Sequence, residues 1–186
     1  MKKIVLALTG ASGMPYGLEL VRQFKSHGFE LHLVVSDAAE TVLSLETPGF
    51  ESVTSMADYI YNQKQLGAPI SSGSFIHSGM VVCPCSMASL SAIASGLGSN
   101  LIHRAADVTL KEKRPLVLVP REMPYNRTHL KNMLRAHDSG AVILPPSPGF
   151  YHSPDSIHDL VKHVAGKILD SLGIENSLFN RWEGMV

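Results

Sequence analysis

The sequence is poor in the residue types that would assign it to a specialised class of protein. It has only two cysteines among 186 residues, Cys83 and Cys85, which does not suggest a disulfide-stabilised secreted scaffold. Charged residues make up 17%, and the 16 basic and 16 acidic side chains cancel. No overall field therefore favours nucleic acid or an acidic membrane surface, and any attraction for an anion must be local.

Long apolar runs are also missing. The apolar stretch behind the two amino-terminal lysines covers only residues 4–8 and ends in a glycine turn, so it indicates a buried strand instead of a signal peptide. No segment approaches the roughly 18 apolar residues that a membrane span needs. We therefore expect a cytoplasmic protein without a membrane partner. The low charge favours a homo-oligomer, because neighbouring subunits would cover part of the surface.

Short apolar runs alternate with helical patterns, which is typical of a parallel α/β sheet covered on both faces. The predicted strands lie at 4–8, 31–35, 80–82, 116–119 and 141–144. The predicted helices lie near 16–27, 37–46, 87–95, 101–112 and 126–138. The less regular stretch 47–78 is interpreted as a helix near 53–61 followed by a mobile loop. Residues 1–186 are therefore expected to form one doubly wound domain.

The last helix is the most strongly predicted element. Ser153, Pro154 and Asp155 provide a cap, a first-turn proline and an acid at the positive end of the helix. Apolar residues then follow helical spacing until Gly173, which predicts a helix at about 154–172 and a tail over 173–186. Trp182, the only tryptophan, would anchor that tail on the core, on a neighbouring subunit or over a site.

A glycine turn follows the first predicted strand and opens the first helix. Its residues, Gly10-Ala11-Ser12-Gly13, would let a phosphate or a ring approach the backbone N–H groups at the helix start. The spacing differs from the GxGxxG of dinucleotide-binding folds, so ligand contact is favoured over NAD binding. Asp37, after the second strand, either binds a ribose or caps the next helix together with Ser36, and the pattern leaves both readings open.

The turn Cys83-Pro84-Cys85-Ser86 follows the third predicted strand. The spacing of two cysteines is reminiscent of a metal or redox site, but no further cysteine completes a tetrahedral ligand set. We therefore expect this turn to present Ser86 and the following backbone amides to a ligand, without a metal.

The run from Arg104 to Glu122 is the most informative part of the sequence. Arg104, Asp107 and Lys111 share one helix face, where they form either an ion-pair ladder or a cationic stripe. Arg121 and Glu122 follow the next predicted strand, at the sheet edge where open α/β proteins bind ligands. An arginine there suits phosphate, and a glutamate beside a bound anion suits proton transfer. The run predicts an anionic substrate and acid/base chemistry.

Several of these motifs together resemble the flavin prenyltransferases, the small companions of ubiquinone-type and phenolic-acid decarboxylases. The resemblance covers residues 3–182 and includes the glycine turn, the cysteine-containing turn, the run just described and a Pro-Gly-Phe-Tyr loop ending at Tyr151. It implies a Rossmann-like or flavodoxin-like flavoprotein that assembles into trimers, often into a dodecamer, with FMN between subunits. Such enzymes join a dimethylallyl group from dimethylallyl monophosphate to reduced FMN without a metal, and the prenylated FMN passes to a separate decarboxylase.

The resemblance also implies roles for individual residues. Glu122 would be the acid/base, assisted by Ser12. The FMN contacts would be Gly10, Ala11, Ser12, Ser36, Ser86, Met87, Ala88, Ser89 and Arg121. The prenyl phosphate would be held by Lys111, Arg121, Tyr151 and Lys167, with Trp182 closing over it.

Two departures from the family pattern concern this phosphate and the flavin. Lys167 stands where many members have arginine, and the loop near Leu66 carries no tryptophan. Two other functions are weighed against prenyl transfer. One is an FMN-dependent decarboxylase of the cysteine-decarboxylase type, and the other is a non-catalytic flavin carrier.

Overall fold

The computed structural model describes residues 1–182 and 184, which form a six-stranded parallel sheet between two layers of helices. The strands are β1 (Lys3–Leu8), β2 (Glu30–Val35), β3 (Tyr59–Asn62), β4 (Met80–Cys85), β5 (Leu116–Pro120) and β6 (Val142–Ile143). The helices are α1 (Met14–Ser26), α2 (Asp37–Glu46), α3 (Glu51–Thr54), α4 (Met87–Ala94), α5 (Leu101–Lys111), α6 (Arg127–Asp138) and α7 (Ile157–Ser171), and a 3₁₀ turn covers Pro69–Ser71.

The strands lie in the order β3-β2-β1-β4-β5-β6, and all five pairings are parallel. The chain therefore adds β2 and β3 on one side of β1 and then returns to add β4, β5 and β6 on the other side. The connections on either side of β1 diverge at its carboxyl end, which creates the crevice where doubly wound proteins bind ligands. This arrangement confirms the predicted fold class.

Alternating side chains explain why the sheet is covered on both faces. Ile4, Leu6 and Leu8 of β1 pack with α1, α2, α3 and α7, whereas Val5 and Ala7 pack with α4, α5 and α6. All five of these side chains are fully buried. Burial of both faces removes the polar alternation of a half-exposed strand, which is why the strands read as continuous apolar runs.

Two parts of the sequence prediction were wrong. The segment predicted as a helix near 53–61 contains only the short α3, and residues 59–62 form the edge strand β3. The last helix was predicted to start at 154, but α7 starts at Ile157 and is capped by Ser156 instead of Ser153. The Ser156 hydroxyl accepts from the backbone N–H of Asp159, whose carboxylate in turn accepts from the backbone N–H of Ser156. This reciprocal capping box fixes the first turn of the helix.

Among the described residues, none of the helices has both the length and the apolar character needed to cross a bilayer.

Candidate functional site at the carboxyl edge of the sheet

The crevice beside β1 brings the glycine turn and the end of β4 together. The Thr9 hydroxyl donates to the carbonyl of Pro84 at 2.8 Å and accepts from the backbone N–H of Ser86 at 2.7 Å. Thr9 is buried, so these two bonds join the ends of β1 and β4 directly. They fix the distance between the two loops that would enclose a ligand.

Two helices begin at this crevice. The start of α4 offers its first-turn N–H groups to a ligand, whereas at the start of α1 the N–H groups of Gly13 and Met14 donate to Glu46. Helix α1 follows Gly13, whose φ of 113° lies in the left-handed region that a glycine adopts readily. Helix α4 follows Ser86, whose hydroxyl caps the helix by accepting from the N–H of Ser89 and also contacts the Ser89 hydroxyl at 3.1 Å. Helix starts attract anions because their N–H groups are unpaired and the helix dipole is positive there.

Arg121, the residue after β5, reaches the same crevice. The Arg121 guanidinium donates through Nε to the backbone carbonyl of Ser12 at 3.1 Å, and its backbone N–H donates to Cys85. Glu122 lies next to it, half-buried, with one carboxylate oxygen accepting from the N–H of Met123 at 3.0 Å. The predicted cation therefore contacts the glycine turn, and the predicted acid/base is the next residue in the chain.

A cavity of about 450 Å³ opens between these elements. Its walls come from the glycine turn, the start of α1, the end of α2, the end of β5 and the first turns of α7. The lining residues include Ser12, Tyr16, Glu46, Arg121, Pro146 and Val161.

Glu46 is the residue of this site that the sequence prediction missed. Its carboxylate accepts from the backbone N–H groups of Gly13 and Met14, each at 2.9 Å. Burial alone would raise the pKa of Glu46. Hydrogen bonds from Ser12 and from these N–H groups, with the charge of Arg121, instead hold that pKa below its ordinary value. A carboxylate thus lies at the very helix start predicted to attract anions.

No local pattern could have identified Glu46. It lies at the end of α2, 33 residues from Gly13 in the chain, and only the packing of α2 against α1 brings the two together. In sequence it reads as an ordinary acidic residue at the end of an amphipathic helix.

Ser36 caps the helix after β2, as one of the two readings of its segment predicts. Its hydroxyl accepts from the N–H of Ala39 at 3.0 Å, which leaves the hydroxyl proton available to donate. Asp37 pairs with Lys64 at 2.6 Å and accepts from Asn62 at 3.0 Å, and its pKa is lowered chiefly by the bond from Lys64. Asp37 is therefore engaged with the end of β3.

A second group of predicted residues lies on another face of α7. Tyr151, from the loop after β6, contacts Trp182 edge-to-face with ring centroids 6.0 Å apart. The Tyr151 hydroxyl lies 3.3 Å from Nε2 of His163, and Lys167 follows one turn later on the same helix. The structure therefore gathers Tyr151, Lys167 and Trp182 as one group, which we call the α7 cluster together with His163.

An ion pair holds the tail against α7. Arg181 binds both carboxylate oxygens of Asp170, at 2.7 and 3.0 Å, and Lys167 approaches the same carboxylate at 3.6 Å. The Arg181 bonds are the largest cause of the lowered pKa of Asp170. Because Arg181 directly precedes Trp182, this pair fixes where the indole ring lies.

Lys111 is not near the other phosphate-binding candidates within one chain. It ends α5 and pairs with Glu112 beside the loop at Gly73, at the amino edge of the sheet. Strand β5 separates it from Arg121 at the opposite edge. The preceding turns of α5 hold an Arg104–Asp107 pair at 2.9 Å, which accounts for those two residues structurally.

The two cysteines are packing residues in this structure. Both side chains are fully buried, and burial raises the pKa of Cys85 to about 12, so it carries no thiolate at neutral pH. Within residues 1–182 and 184, no group of three or more His, Cys, Asp or Glu side chains is placed to hold a metal ion.

The residues at the crevice fit a flavin mononucleotide. The start of α4 and the hydroxyl of Ser36 offer donors to a phosphate and a ribityl chain. The Ser12 hydroxyl bonds to Glu46, and the Ser86 hydroxyl donates to Ser89. Gly10 is exposed, and a side-chain Cβ at this position would lie 2.5 Å from Cβ of Ala38, so the turn packs closely against α2. The missing side chain leaves the backbone of Gly10 open to a ligand.

Comparison with known proteins identifies the family of this chain. The sequence matches the Flavoprotein family over residues 1–169. It is 46% identical to the flavin prenyltransferase UbiX of Methanothermobacter thermautotrophicus, over 99% of this chain and 97% of that protein.

Two crystal structures share the fold over nearly their whole length. One is AnUbiX (PadA1) in complex with FMN and dimethylallyl pyrophosphate, with a TM-score of 0.96, 45% identity and coverage of 100% and 99% of the two chains. The other is a dodecameric FMN-dependent UbiX-like decarboxylase from Escherichia coli O157:H7, with a TM-score of 0.94, 44% identity and coverage of 98% and 100%.

Proposed function

The chain belongs to the flavin prenyltransferase family, and we propose that it transfers a dimethylallyl group from dimethylallyl monophosphate to reduced FMN. The observation that carries this proposal is the crevice itself, where the start of α4 and the glycine turn meet Arg121, with Glu122 as the next residue in the chain. Its fold matches that of a relative solved with FMN and a dimethylallyl phosphate ester.

In this proposal the glycine turn and the start of α4 bind FMN. The proposed contacts are Gly10, Ala11, Ser12, Ser36, Ser86, Met87, Ala88, Ser89 and Arg121. Reduced FMN supplies the electron-rich ring atoms that accept the prenyl group. The chain's part is to orient that ring system and to exclude water from it.

The prenyl phosphate is proposed to lie between Arg121 and the α7 cluster. Departure of phosphate leaves an allylic carbon with cationic character and places negative charge on the phosphate oxygens. The guanidinium of Arg121, the ammonium of Lys167 and the Tyr151 hydroxyl would stabilise that developing charge. The tail would bring Trp182 over the same region.

Glu122 is proposed to move the protons. It would protonate the departing phosphate and later accept the proton that ring closure releases, with the Ser12 hydroxyl assisting. Its place beside Arg121, at the edge where the ligand is expected, supports this role.

The biological setting is proposed on the same basis. The prenylated FMN would pass to a separate decarboxylase, which acts either in ubiquinone synthesis or in phenolic-acid breakdown. We propose that the protein acts in the cytoplasm as a homo-oligomer built from trimers, and the dodecamer of the Escherichia coli relative supports a twelve-subunit assembly.

The experiment is anaerobic incubation of the protein with FMN, a reductant and the prenyl donor, followed by mass spectrometry of the flavin. The expected result is a flavin heavier by one dimethylallyl group. Dimethylallyl monophosphate and the pyrophosphate are supplied separately, because the relative was solved with the pyrophosphate. Product with the pyrophosphate alone would reject the proposed donor, whereas an unchanged flavin mass with both would support a flavin carrier.

The role of Glu122 is tested in the same assay. Glu122→Gln keeps the size and the hydrogen-bonding atoms but removes the ionisable group. We expect this variant to bind FMN normally and to lose product by about a hundredfold or more, which is the usual scale of general acid–base catalysis. Full activity of Glu122→Gln would reject the assigned role.

A further inference from the structure

His163 lies at the centre of the α7 cluster and has no role in the function proposed above. Its side chain is 6% exposed, and its ring stacks on that of His152 with centroids 4.8 Å apart. Phe179 from the tail packs against it edge-to-face at 4.6 Å. A histidine held this firmly presents its two nitrogens in fixed directions.

Both nitrogens of His163 have partners. Nδ1 lies 3.4 Å from the backbone N–H of Gly149, and Nε2 lies 3.3 Å from the hydroxyl of Tyr151. A backbone N–H can only donate, so Nδ1 must be the unprotonated nitrogen of a neutral ring. The ring proton is then on Nε2, and that N–H donates to the oxygen of Tyr151.

This tautomer determines what the Tyr151 hydroxyl can do. Because its oxygen accepts from His163, its own proton remains free to donate elsewhere. Tyr151 is 48% exposed, so the proton can reach a ligand from outside the cluster. With the opposite tautomer the phenol would donate to His163 and would offer only lone pairs, which repel an anion.

The surroundings favour the neutral form of His163. Burial lowers its pKa, and the charges of His152 and Lys167 act in the same direction. Together with Tyr151 these are the titratable groups that face the ring in the described part of the chain.

The position of the Tyr151 ring is also fixed by the backbone. A side-chain Cβ at Gly149 would lie 2.8 and 3.0 Å from two ring carbons of Tyr151, so the ring rests directly on that glycine. Gly149 therefore supports the ring and, through its N–H, selects the tautomer of His163.

We infer that His163 is a positioning residue that holds the Tyr151 hydroxyl as an acceptor, so that its proton is directed to the phosphate of the prenyl donor. The inference rests on the proposed function, which supplies that phosphate as the ligand of Tyr151.

The test is a double-mutant cycle in the anaerobic prenylation assay, with KM for dimethylallyl monophosphate and kcat measured separately. Tyr151→Phe should raise KM by roughly tenfold, and His163→Phe by about threefold to tenfold, as expected for the loss or misdirection of one hydrogen bond. In the Tyr151→Phe background, His163→Phe should have no further effect, because the hydroxyl it orients is gone.

Two further variants separate positioning from packing. His163→Gln places an N–H donor near the position of Nε2 and should restore KM to within about twofold of wild type. His158→Gln, at an exposed histidine of the same helix, should leave KM unchanged. FMN content and the unfolding temperature of each variant establish that it is folded.

The split between KM and kcat provides a readout that a packing role would not give. Nε2 donates to Tyr151 whether or not Nδ1 is protonated, so the orientation of the phenol does not depend on pH. His163→Phe should therefore raise KM while kcat stays within about twofold of wild type.

Additive effects of the two Phe substitutions, or a loss from His163→Phe that falls on kcat alone, would overturn the inference while prenyl transfer by the wild type stands. Absence of product from the wild type would instead overturn the proposed function, and the inference with it.

Discussion

The Glu46 carboxylate lies at the start of α1, where the glycine turn predicts a bound anion. The glycine turn predicts free N–H groups at the start of α1, but those of Gly13 and Met14 bind a side chain of the same protein. The prediction identifies the donors from local pattern, but their partner is set by helix packing over 33 residues. The sequence therefore predicts the donors of this interaction but not their acceptor.

We predict that Glu46→Ala destabilises the protein at neutral pH by about 1 kcal/mol, because helix α1 loses the group that caps its first N–H donors. The folded-state pKa of Glu46 is lowered, so its contribution is complete above the ordinary glutamate pKa and is lost as pH falls through the folded value. Urea unfolding at one protein concentration, from neutral pH downwards, should show the difference from wild type disappearing in acid.

Glu40→Ala is the matched control, since it removes an exposed carboxylate from the first turn of the same helix α2. It should change the unfolding free energy by less than Glu46→Ala. A Glu46→Ala effect that stays constant with pH would show that the carboxylate charge is not responsible.

Among the elements, the buried strands were the most predictable and the edge strand β3 was not. Strands β1, β2, β4 and β5 have apolar side chains on both faces, so their sequences differ sharply from the helices. In β3, Tyr59 and Ile60 are each about half exposed, at 50% and 52%, and their position depends on pairing with β2. A short edge strand has too few residues to show a period of its own.

The start of α7 illustrates a second limit of local pattern. Ser153-Pro154-Asp155 and Ser156 both satisfy the rules for a helix start, and the structure uses the later one. Ser153 instead adopts a positive φ of 51° in the turn before the helix. The path of the preceding loop determines which of these two caps, three residues apart, starts the helix. The local sequence does not specify that path.

Helix α1 depends on one glycine for its close approach to the sheet. A side-chain Cβ at Gly17 would lie 2.6 Å from the carbonyl oxygen of Cys83 and 2.6 Å from Leu8. We predict that Gly17→Ala destabilises the protein by about 1–3 kcal/mol, although alanine at an unconstrained helix position is favoured over glycine. Chemical denaturation of the variant and wild type measures the difference.

Gly67→Ala is the comparison for this substitution, because no atom lies within 4 Å of its new side chain. It should be neutral or slightly stabilising. Equal effects of the two substitutions would show that α1 can move away from β4 at little cost.

At the scale of the whole molecule, the candidate residues fall at two edges of the sheet. Arg121 and Glu122 lie at the carboxyl edge, whereas Lys111 lies at the amino edge beside Gly73. One chain cannot bring them to the same phosphate, so the predicted role of Lys111 requires a second subunit. The residues themselves indicate the chemistry of each position, whereas a site shared between subunits follows only from the family resemblance, because subunit contacts have no local signature.

We predict that two inactive variants restore activity when they are co-assembled. Lys111→Ala retains Glu122, and Glu122→Gln retains Lys111. In randomly mixed oligomers about a quarter of the sites would combine both intact residues across a subunit contact. Prenylated FMN formed by mixed oligomers, but by neither pure variant, is the expected result.

Mixing the separately assembled variants without unfolding serves as the control, since it creates no shared sites. No recovery in the co-assembled sample would place Lys111 outside the site of a neighbouring subunit.

The contact between Trp182 and Tyr151 provides an intrinsic fluorescence probe of the α7 cluster. Trp182 is the only tryptophan, and its ring centroid lies 6.0 Å from that of a residue proposed to hold the phosphate. Light emitted by the indole at long wavelength therefore comes from one known position. Binding kinetics at this position can be followed by stopped-flow emission without attaching a dye.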